Sequence, residues 1–420
     1  MPAMIEPMTP KSDYSCCIIG AGPAGLMAAE RLAQAGCRVA LYDRMPTPGR
    51  KFLMAGRGGL NLTHSEDLSR FIDRYDTASD WIAPLIQSFS PEDLQNWSAS
   101  LGEPTFIGSS GRVFPKSFKA SPLLRASLTR LQSNGVIFHM NYEWQGFDNQ
   151  GALNFVQSNG DSISVKPDAV LLALGGASWP KLGSNGSWVS SLKARNIDIA
   201  PFRSSNVGVL IAWSDYFVNR FAGAPLKRLI VRSGGIKVHG EALITKSGIE
   251  GGAIYALGPE LRRLLEHKND TEIFLDLRRD LTLEQILSRL KQKRGKLSLS
   301  RYLTKTVGLD PLSIALLRES ALQKKSALSE EPENLARAIK SCSLTVSGLG
   351  GLDRAISSAG GIKRTEIDER MMLKAMPGIF VAGEMIDWDA PTGGYLLQAS
   401  FSTGVAAARG MLEWLDKNRS

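Results

Sequence analysis

Cysteine is scarce. The 420 residues hold four, Cys16, Cys17, Cys37 and Cys342, with no C-x-x-C pair and no metal-ligand spacing, so neither a disulfide scaffold nor a cysteine metal site is expected. Histidine is equally rare: His64, His139, His239 and His267 are the whole set. No apolar run approaches the ~20 residues that span a bilayer, which argues against membrane insertion. The opening stretch MPAMIEPMTPKSDYS lacks the basic-then-apolar order of a secretory signal, so residues 1–13 read as a loose tail and a reducing cytoplasm is the expected setting. Internal repeats and low-complexity tracts are also missing. A chain with 43% hydrophobic and 22% charged residues remains, ordinary for a globular protein and long enough for two or three domains. Its net charge of +9 suits an anionic cofactor or substrate, or nucleic acid.

The strongest local pattern is Cys16–Arg44, CCIIGAGPAGLMAAERLAQAGCRVALYDR. A short apolar strand, Cys16–Ile19, runs into Gly20, Gly22 and Gly25 in G-x-G-x-x-G spacing. Leu26, Met27, Ala29, Leu32 and Ala33 then mark one face of a helix, Gly36 stops it, and Arg38–Tyr42 is a second strand ending at Asp43. Gly20 permits the tight turn, Gly22 lets backbone approach a pyrophosphate, and Gly25 lets helix and strand close up. Asp43 lies 23 residues after Gly20, where an acid can hold a ribose hydroxyl. The pattern predicts a dinucleotide site.

The following loop is rich in glycine and carries Arg50, Lys51 and Arg57, a supply of N–H groups and cations for a negative ligand. Helical spacing covers Leu68–Leu101, with breaks expected at Pro84 and Pro91. A helix is expected over Ser121–Ser133, and a small antiparallel sheet over Val136–Met140, Leu153–Val156 and Ser162–Val165. Ala169–Leu174 is an apolar strand ending in Gly175–Gly176. From about Pro201 short strands dominate, followed by amphipathic helices, and Gly378–Ala382 is a last buried strand before a long helix of small residues. The expected organisation is a discontinuous nucleotide-binding domain (14–200 and 342–420), a β-rich domain (201–258, completed by part of 326–345) and a helical insert (259–341).

GAGPAGLMAA, RKFLMAGRGGLNLTHSE, GRVFPKS, LALGGASWPKLGSNG, SAGGI and VAGEMIDWDAPTGGYLLQASFSTGVAAA follow one another in an order that resembles the YhiN/BaiN-like family of bacterial flavoproteins. The resemblance implies an α/β fold: a Rossmann-type FAD-binding domain interrupted by a β-barrel-like domain with a helical insert. It implies that Gly20, Gly22, Ala24 and Gly25 hold the pyrophosphate of FAD and Asp43, with Arg44 beside it, the adenosine ribose. Arg50, Lys51, Gly56, Asn61 and Gly175 would line the cofactor. Gly383, Glu384 and Asp387 match a G-E-x-x-D motif closing on the ribityl and phosphate part, and Gly393, Gly394 and Tyr395 would sit at the flavin ring. Two stretches depart from the pattern. The family's S-G-G-G-R-C-N-L-T-N loop has Leu60 in place of cysteine, and its F-T-H-x-G-x-S-G-P has Lys246, Glu250 and Gly252 in place of His, Ser and Pro. The family's substrate therefore does not transfer.

Flavin carries the hydride chemistry itself, so no catalytic triad is expected. His64 is the one histidine in a cofactor-proximal loop and is a candidate for proton transfer; Arg57 is a candidate for a substrate carboxylate, and Lys246 a further catalytic candidate. No second complete G-x-G-x-x-G is present. NAD(P)H would then dock transiently over the flavin, or a small-molecule substrate would reduce the flavin and oxygen reoxidise it. A third reading is RNA binding, from nine lysines and arginines between Arg278 and Lys305.

Overall fold

The computed structural model describes residues 15–418; the tail expected over 1–13 lies outside them. The chain forms two compact units, one ending at Arg203 and resuming at Ser357, the other Ser204–Ile356.

The first unit is built on a five-stranded parallel sheet. Its order is Ile379–Val381, Ala169–Leu172, Ser15–Ile19, Arg38–Asp43, Ile137–Met140. The inner strands are short apolar runs because a parallel sheet is covered on both faces. Ala169–Leu172 is buried at every position, and Cys16, Cys17 and Cys37 are buried thiols in the same core. The helix Pro23–Gln34 connects the first two strands of the chain, and the C-terminal helix Tyr395–Lys417 packs against it. Gly404 makes that approach possible: a Cβ there would lie 2.4 Å from the Ala24 carbonyl oxygen. This is an α/β Rossmann-type fold whose sheet takes its last strand, Ile379–Val381, from beyond the second unit.

Three local expectations change. Ile137–Met140 joins the parallel sheet beside Arg38–Asp43, because the helix Ala120–Ser133 returns the chain to that edge as a crossover does. The small antiparallel sheet is instead Tyr142–Phe147, Leu153–Gln157 and Ser162–Val165. Pro84 sits inside the helix Ser79–Ser88, whereas Ser90 and Asp93 form the capping box that starts the helix Pro91–Ser100.

In the second unit a seven-stranded antiparallel sheet packs on its own core. Its two edge strands, Cys342–Val346 and Gly348–Leu349, are separated in sequence by Ser347 alone, so the sheet must curl until its edges approach, as in a barrel. Cys342–Val346 pairs with Thr271–Asp276. Residues 342–356, expected in the nucleotide-binding domain, thus belong to the second unit, and a strand lies inside the stretch read as purely helical. The helix Leu299–Val307 lies within the expected helical insert.

Candidate functional site

The three glycines of the first turn do different physical work. Gly20 has φ +110°, and a Cβ there would lie 2.2 Å from the Ala173 carbonyl oxygen. At Gly25 a Cβ would lie 2.0 Å from the Gly20 carbonyl oxygen. Both glycines are demanded by the protein's own backbone. Gly22 is not: its φ of −84° suits any residue, and a Cβ there would meet nothing within 4 Å. Open space lies where the glycine backbone could receive a ligand. Gly22 is also the N-cap of Pro23–Gln34 and supplies no side-chain cap, so the first-turn N–H groups, including those of Ala24 and Gly25, are available to an anion.

Asp43 accepts from the backbone N–H of Ala21 at 2.7 Å and of Met45 at 2.8 Å. Burial pushes its carboxyl up, against those two bonds, which pull it down. It braces the glycine turn from the end of the second strand, with lone pairs left for a hydroxyl. Arg44 is engaged by Glu143 at 3.4 Å. Among the described residues, Arg50 Nε and Asn61 Oδ1 are buried without hydrogen-bond partners, as is expected of groups that bind something further.

Lys51 donates to Ser178 Oγ at 2.8 Å and to Glu384 at 2.6 Å. Glu384 also accepts from Ser358 N at 2.9 Å. Burial alone would raise the Glu384 carboxyl; Lys51 and the backbone N–H groups of Ser358 and Gly176 hold it below the usual carboxylate range. Gly175, at φ +69°, accepts from Trp188 Nε1 through its carbonyl. Gly383 donates to Thr403 Oγ1. Asp387 is half-buried, its carboxyl raised by burial against the pull of Arg203. Gly56 is a packing glycine: a Cβ would lie 2.5 Å from Ala120 Cβ.

Gly393 and Gly394 both take positive φ, and a Cβ on Gly394 would lie 2.5 Å from Thr63 Cα. Gly394 is the uncapped N-cap of the 23-residue C-terminal helix. Gln398 locks that helix end to its neighbours, accepting from Thr63 Oγ1 at 2.8 Å and donating to the Phe89 carbonyl at 2.8 Å. Tyr395 is buried, donates from its hydroxyl to Glu66, and accepts at its carbonyl from Tyr75. Arg74 grips Glu66 with two hydrogen bonds, at 2.8 and 3.1 Å. Burial would raise the Glu66 carboxyl, but Arg74 and Tyr395 hold it low. Burial and Glu66 push the Tyr395 phenol well up, so Tyr395 stays protonated and acts as a donor. Tyr395→Phe removes a hydrogen bond to a charged acceptor and is expected to cost about 2 kcal/mol, read as a fall of roughly 4 °C in thermal midpoint.

His64 accepts from Glu66 N at 3.1 Å through Nδ1, and its Nε2 faces the Ser110 carbonyl at 3.0 Å. Both ring nitrogens therefore face a backbone partner. Its ring stacks on Tyr395. In this arrangement His64 has no free nitrogen for proton transfer and orients the strand it lies on. Arg57 is exposed, with no side-chain hydrogen bond or ion pair among the described residues. Lys246 is exposed in the second unit, in the turn between the strands Ile236–Thr245 and Gly248–Glu250. Ser178, Ser358, Glu66, Arg74, Tyr75 and Gln398 were not foreseen; each lies far in sequence from at least one partner, and only the Gly-Gly turn before Ser178 hinted at any of them.

The family model described as HI0933-like protein Rossmann domain matches residues 14–410. The chain belongs to this family. It is the family that the motifs resemble, and with that membership the chain is an enzyme of the FAD-dependent oxidoreductase class. A 3-dehydro-bile acid delta(4,6)-reductase of Clostridium scindens is 24% identical over 94% of this chain and 98% of its own. A ribosomal RNA dihydrouridine synthase of Haemophilus influenzae is 24% identical over 93% of this chain and 96% of its own. Among solved structures, the 3-ketosteroid delta1-dehydrogenase of Sterolibacterium denitrificans superposes with a TM-score of 0.54 at 11% identity, covering 95% of this chain and 99% of its own. That likeness is one of fold.

Proposed function

We propose that the chain binds FAD in the first unit and reduces a small molecule that carries a carbon–carbon double bond conjugated to a carbonyl, with NAD(P)H docking transiently as hydride donor. The observation that carries the reading is the open space at Gly22, flanked by a sterically obligatory glycine on either side. Asn61 Oδ1 and Arg50 Nε, buried and unpartnered, add polar groups suited to a polyol and a phosphate. The names of the two curated relatives describe reduced products, a bile acid reduced at its delta(4,6) bonds and dihydrouridine; in both, the reduced bond lies in conjugation with a carbonyl.

FAD, when bound, supplies hydride transfer. The chain's residues then place and polarise it. First-turn N–H groups of Pro23–Gln34 meet the pyrophosphate, and Asp43 takes the ribose hydroxyls. Lys51 and Glu384 join the cofactor's flanks, while Gly393 and Gly394 keep side chains away from the flavin. The uncapped positive end of Tyr395–Lys417 favours negative charge on its pyrimidine side.

The test is the absorbance spectrum of the purified protein, followed by anaerobic mixing with NADH and with NADPH. Flavin bands that bleach with either nucleotide are expected. Protein that takes up no FAD defeats the cofactor assignment; a flavin that stays oxidised with both nucleotides defeats the donor assignment and favours a substrate-driven oxidase.

One comparison favours a second reading, RNA modification, since a ribosomal RNA dihydrouridine synthase aligns with nearly the whole chain. Of the basic stretch, Arg294 is paired with Glu330 at 2.6 Å and Lys291 lies 3.9 Å from Glu333, which spends part of its charge internally. Salt-dependent retention on RNA decides it: release at low salt, with no binding at moderate salt, counts against this reading.

A further inference from the structure

Three phenylalanines cluster with near-parallel rings at the surface of the first unit. Phe106 and Phe114 are directly paired across the antiparallel strands Thr105–Ile107 and Arg112–Pro115. Phe118 completes the stack, with ring centroids 4.9 Å from Phe114 and 6.1 Å from Phe106 and planes within 30° of parallel. Two of the rings are partly open to solvent: Phe106 is 38% exposed and Phe118 44%. A protein hides aromatic rings when it can, and an exposed, ordered stack marks a contact surface.

The stack is held at a conformational cost. Phe118 has φ +62°, a region that bulky side chains seldom occupy. Its ring lies over Gly59, where a Cβ would be 2.2 Å from Phe118 Cε1, and its carbonyl accepts from Leu60 N. The glycine loop that carries Arg57 therefore forms the floor under the stack. Strain of this kind persists where the surroundings enforce it, commonly at ligand sites.

Sheet pairing extends the same face toward the candidate flavin site. Arg112, two residues before Phe114, is paired with His64, and His64 stacks on Tyr395 at the start of the C-terminal helix. Arg57, Arg112, Lys116 and Lys119 are all exposed, with no side-chain hydrogen bond or ion pair among the described residues. The surface thus joins flat apolar rings, unneutralised cations and continuity with the flavin end of the site.

We infer that this face receives the substrate's ring system, and that the substrate is a flat conjugated ring compound bearing an anionic group. Phe106, Phe114 and Phe118 stack on the ring, and Arg57 and Arg112 attract the anion. The same face runs through Arg112 and His64 to Tyr395 at the candidate flavin end, which favours a small molecule that reacts there over a strand of RNA. The inference rests on the proposed reductase reading and names its substrate class.

The test uses naphthalene-2-carboxylate and the neutral naphthalene-2-carboxamide as probes, titrated against the FAD-loaded protein. Carboxylate binding is expected to weaken about tenfold in Phe106→Ala and in Phe118→Asn, the latter a residue that accepts positive φ. Arg57→Gln is expected to weaken the carboxylate several-fold and leave the carboxamide unchanged. Equal affinity in wild type and both phenylalanine variants overturns the inference. So does displacement of the probe by oligouridine with a tighter fit than any naphthalene compound, or a dimer that Phe106→Ala splits into monomers. FAD content is measured in every sample, so failure of the flavin reading shows separately, as wild-type protein that takes up no FAD.

Discussion

Gly22→Val is expected to yield folded protein that no longer retains FAD. The two halves of that expectation have separate physical sources. The fold tolerates valine because Gly22 already has φ −84° and ψ −178°, an extended conformation that β-branched residues favour, and because no atom lies within 4 Å of its Cβ position. The thermal midpoint of the apoprotein should stay within a degree or two of wild type. The cofactor does not tolerate it, since two methyl groups would occupy the space where the pyrophosphate must meet the turn. A loss of at least ~100-fold in FAD affinity follows from displacing a phosphate contact and its hydrogen bonds. Gly25→Val is the control with the opposite profile: its Cβ would sit 2.0 Å from the Gly20 carbonyl oxygen, so the apoprotein itself should be destabilised or fail to fold. Equilibrium dialysis with FAD and thermal unfolding of the apoproteins check both. Full FAD loading of Gly22→Val would put the pyrophosphate elsewhere.

Lys51→Met is expected to lower stability by about 3 kcal/mol, because it leaves the Glu384 carboxylate without its cation in a largely buried position. For a cooperative unit of the first unit's size that is a fall of roughly 5 °C in thermal midpoint. Glu384→Gln should cost less, since the amide keeps an acceptor for Ser358 N and a neutral partner for Lys51, whose side chain retains some access to water. The double variant Lys51→Met/Glu384→Gln should recover part of the single loss, which a double-mutant cycle reads directly. The pH dependence follows in sign. Glu384 is held below the ordinary carboxylate range, so its contribution is fully present above its unfolded pKa of ~4.3 and is lost as pH falls through the lower folded value. Wild type should therefore lose stability on acidification below that range more steeply than Glu384→Gln. Parallel acid unfolding curves would show that the pair contributes nothing.

Much of the first unit was legible in the chain. The run from Cys16 to Asp43 combines a short apolar strand, a helix stripe and glycines at fixed offsets, and each is a pattern contained in a short window of the chain. Gly25 answers to the Gly20 carbonyl oxygen of its own turn, whereas Gly20 answers to the Ala173 carbonyl oxygen of a strand that folding brings alongside. The break at Pro91, where a new helix starts, was equally local. Family membership was legible for the same reason, since it rests on an ordered series of short motifs.

Other features depended on pairings that no short window contains. Ile137–Met140 carries nothing that selects the parallel sheet over a small antiparallel one; the choice was made by where the helix Ala120–Ser133 returns the chain. Cys342–Val346 was drawn into the second unit by Thr271–Asp276, 71 residues earlier at Ser343 and Glu272. His64 looked like a proton carrier because of its position in a glycine-rich loop; its engagement at both nitrogens depends on Glu66 N and on the Ser110 carbonyl. The Lys51–Glu384 pair spans 333 residues and the Tyr395–Glu66 contact 329. The sequence by itself determined the strand–glycine–helix turn, the fold class and the family, because backbone sterics and hydrophobic period act over a few residues. Only the tertiary structure decided which glycine is free for a ligand, which charges neutralise one another and which aromatic rings remain at the surface, because those depend on atoms that folding brings together from distant parts of the chain.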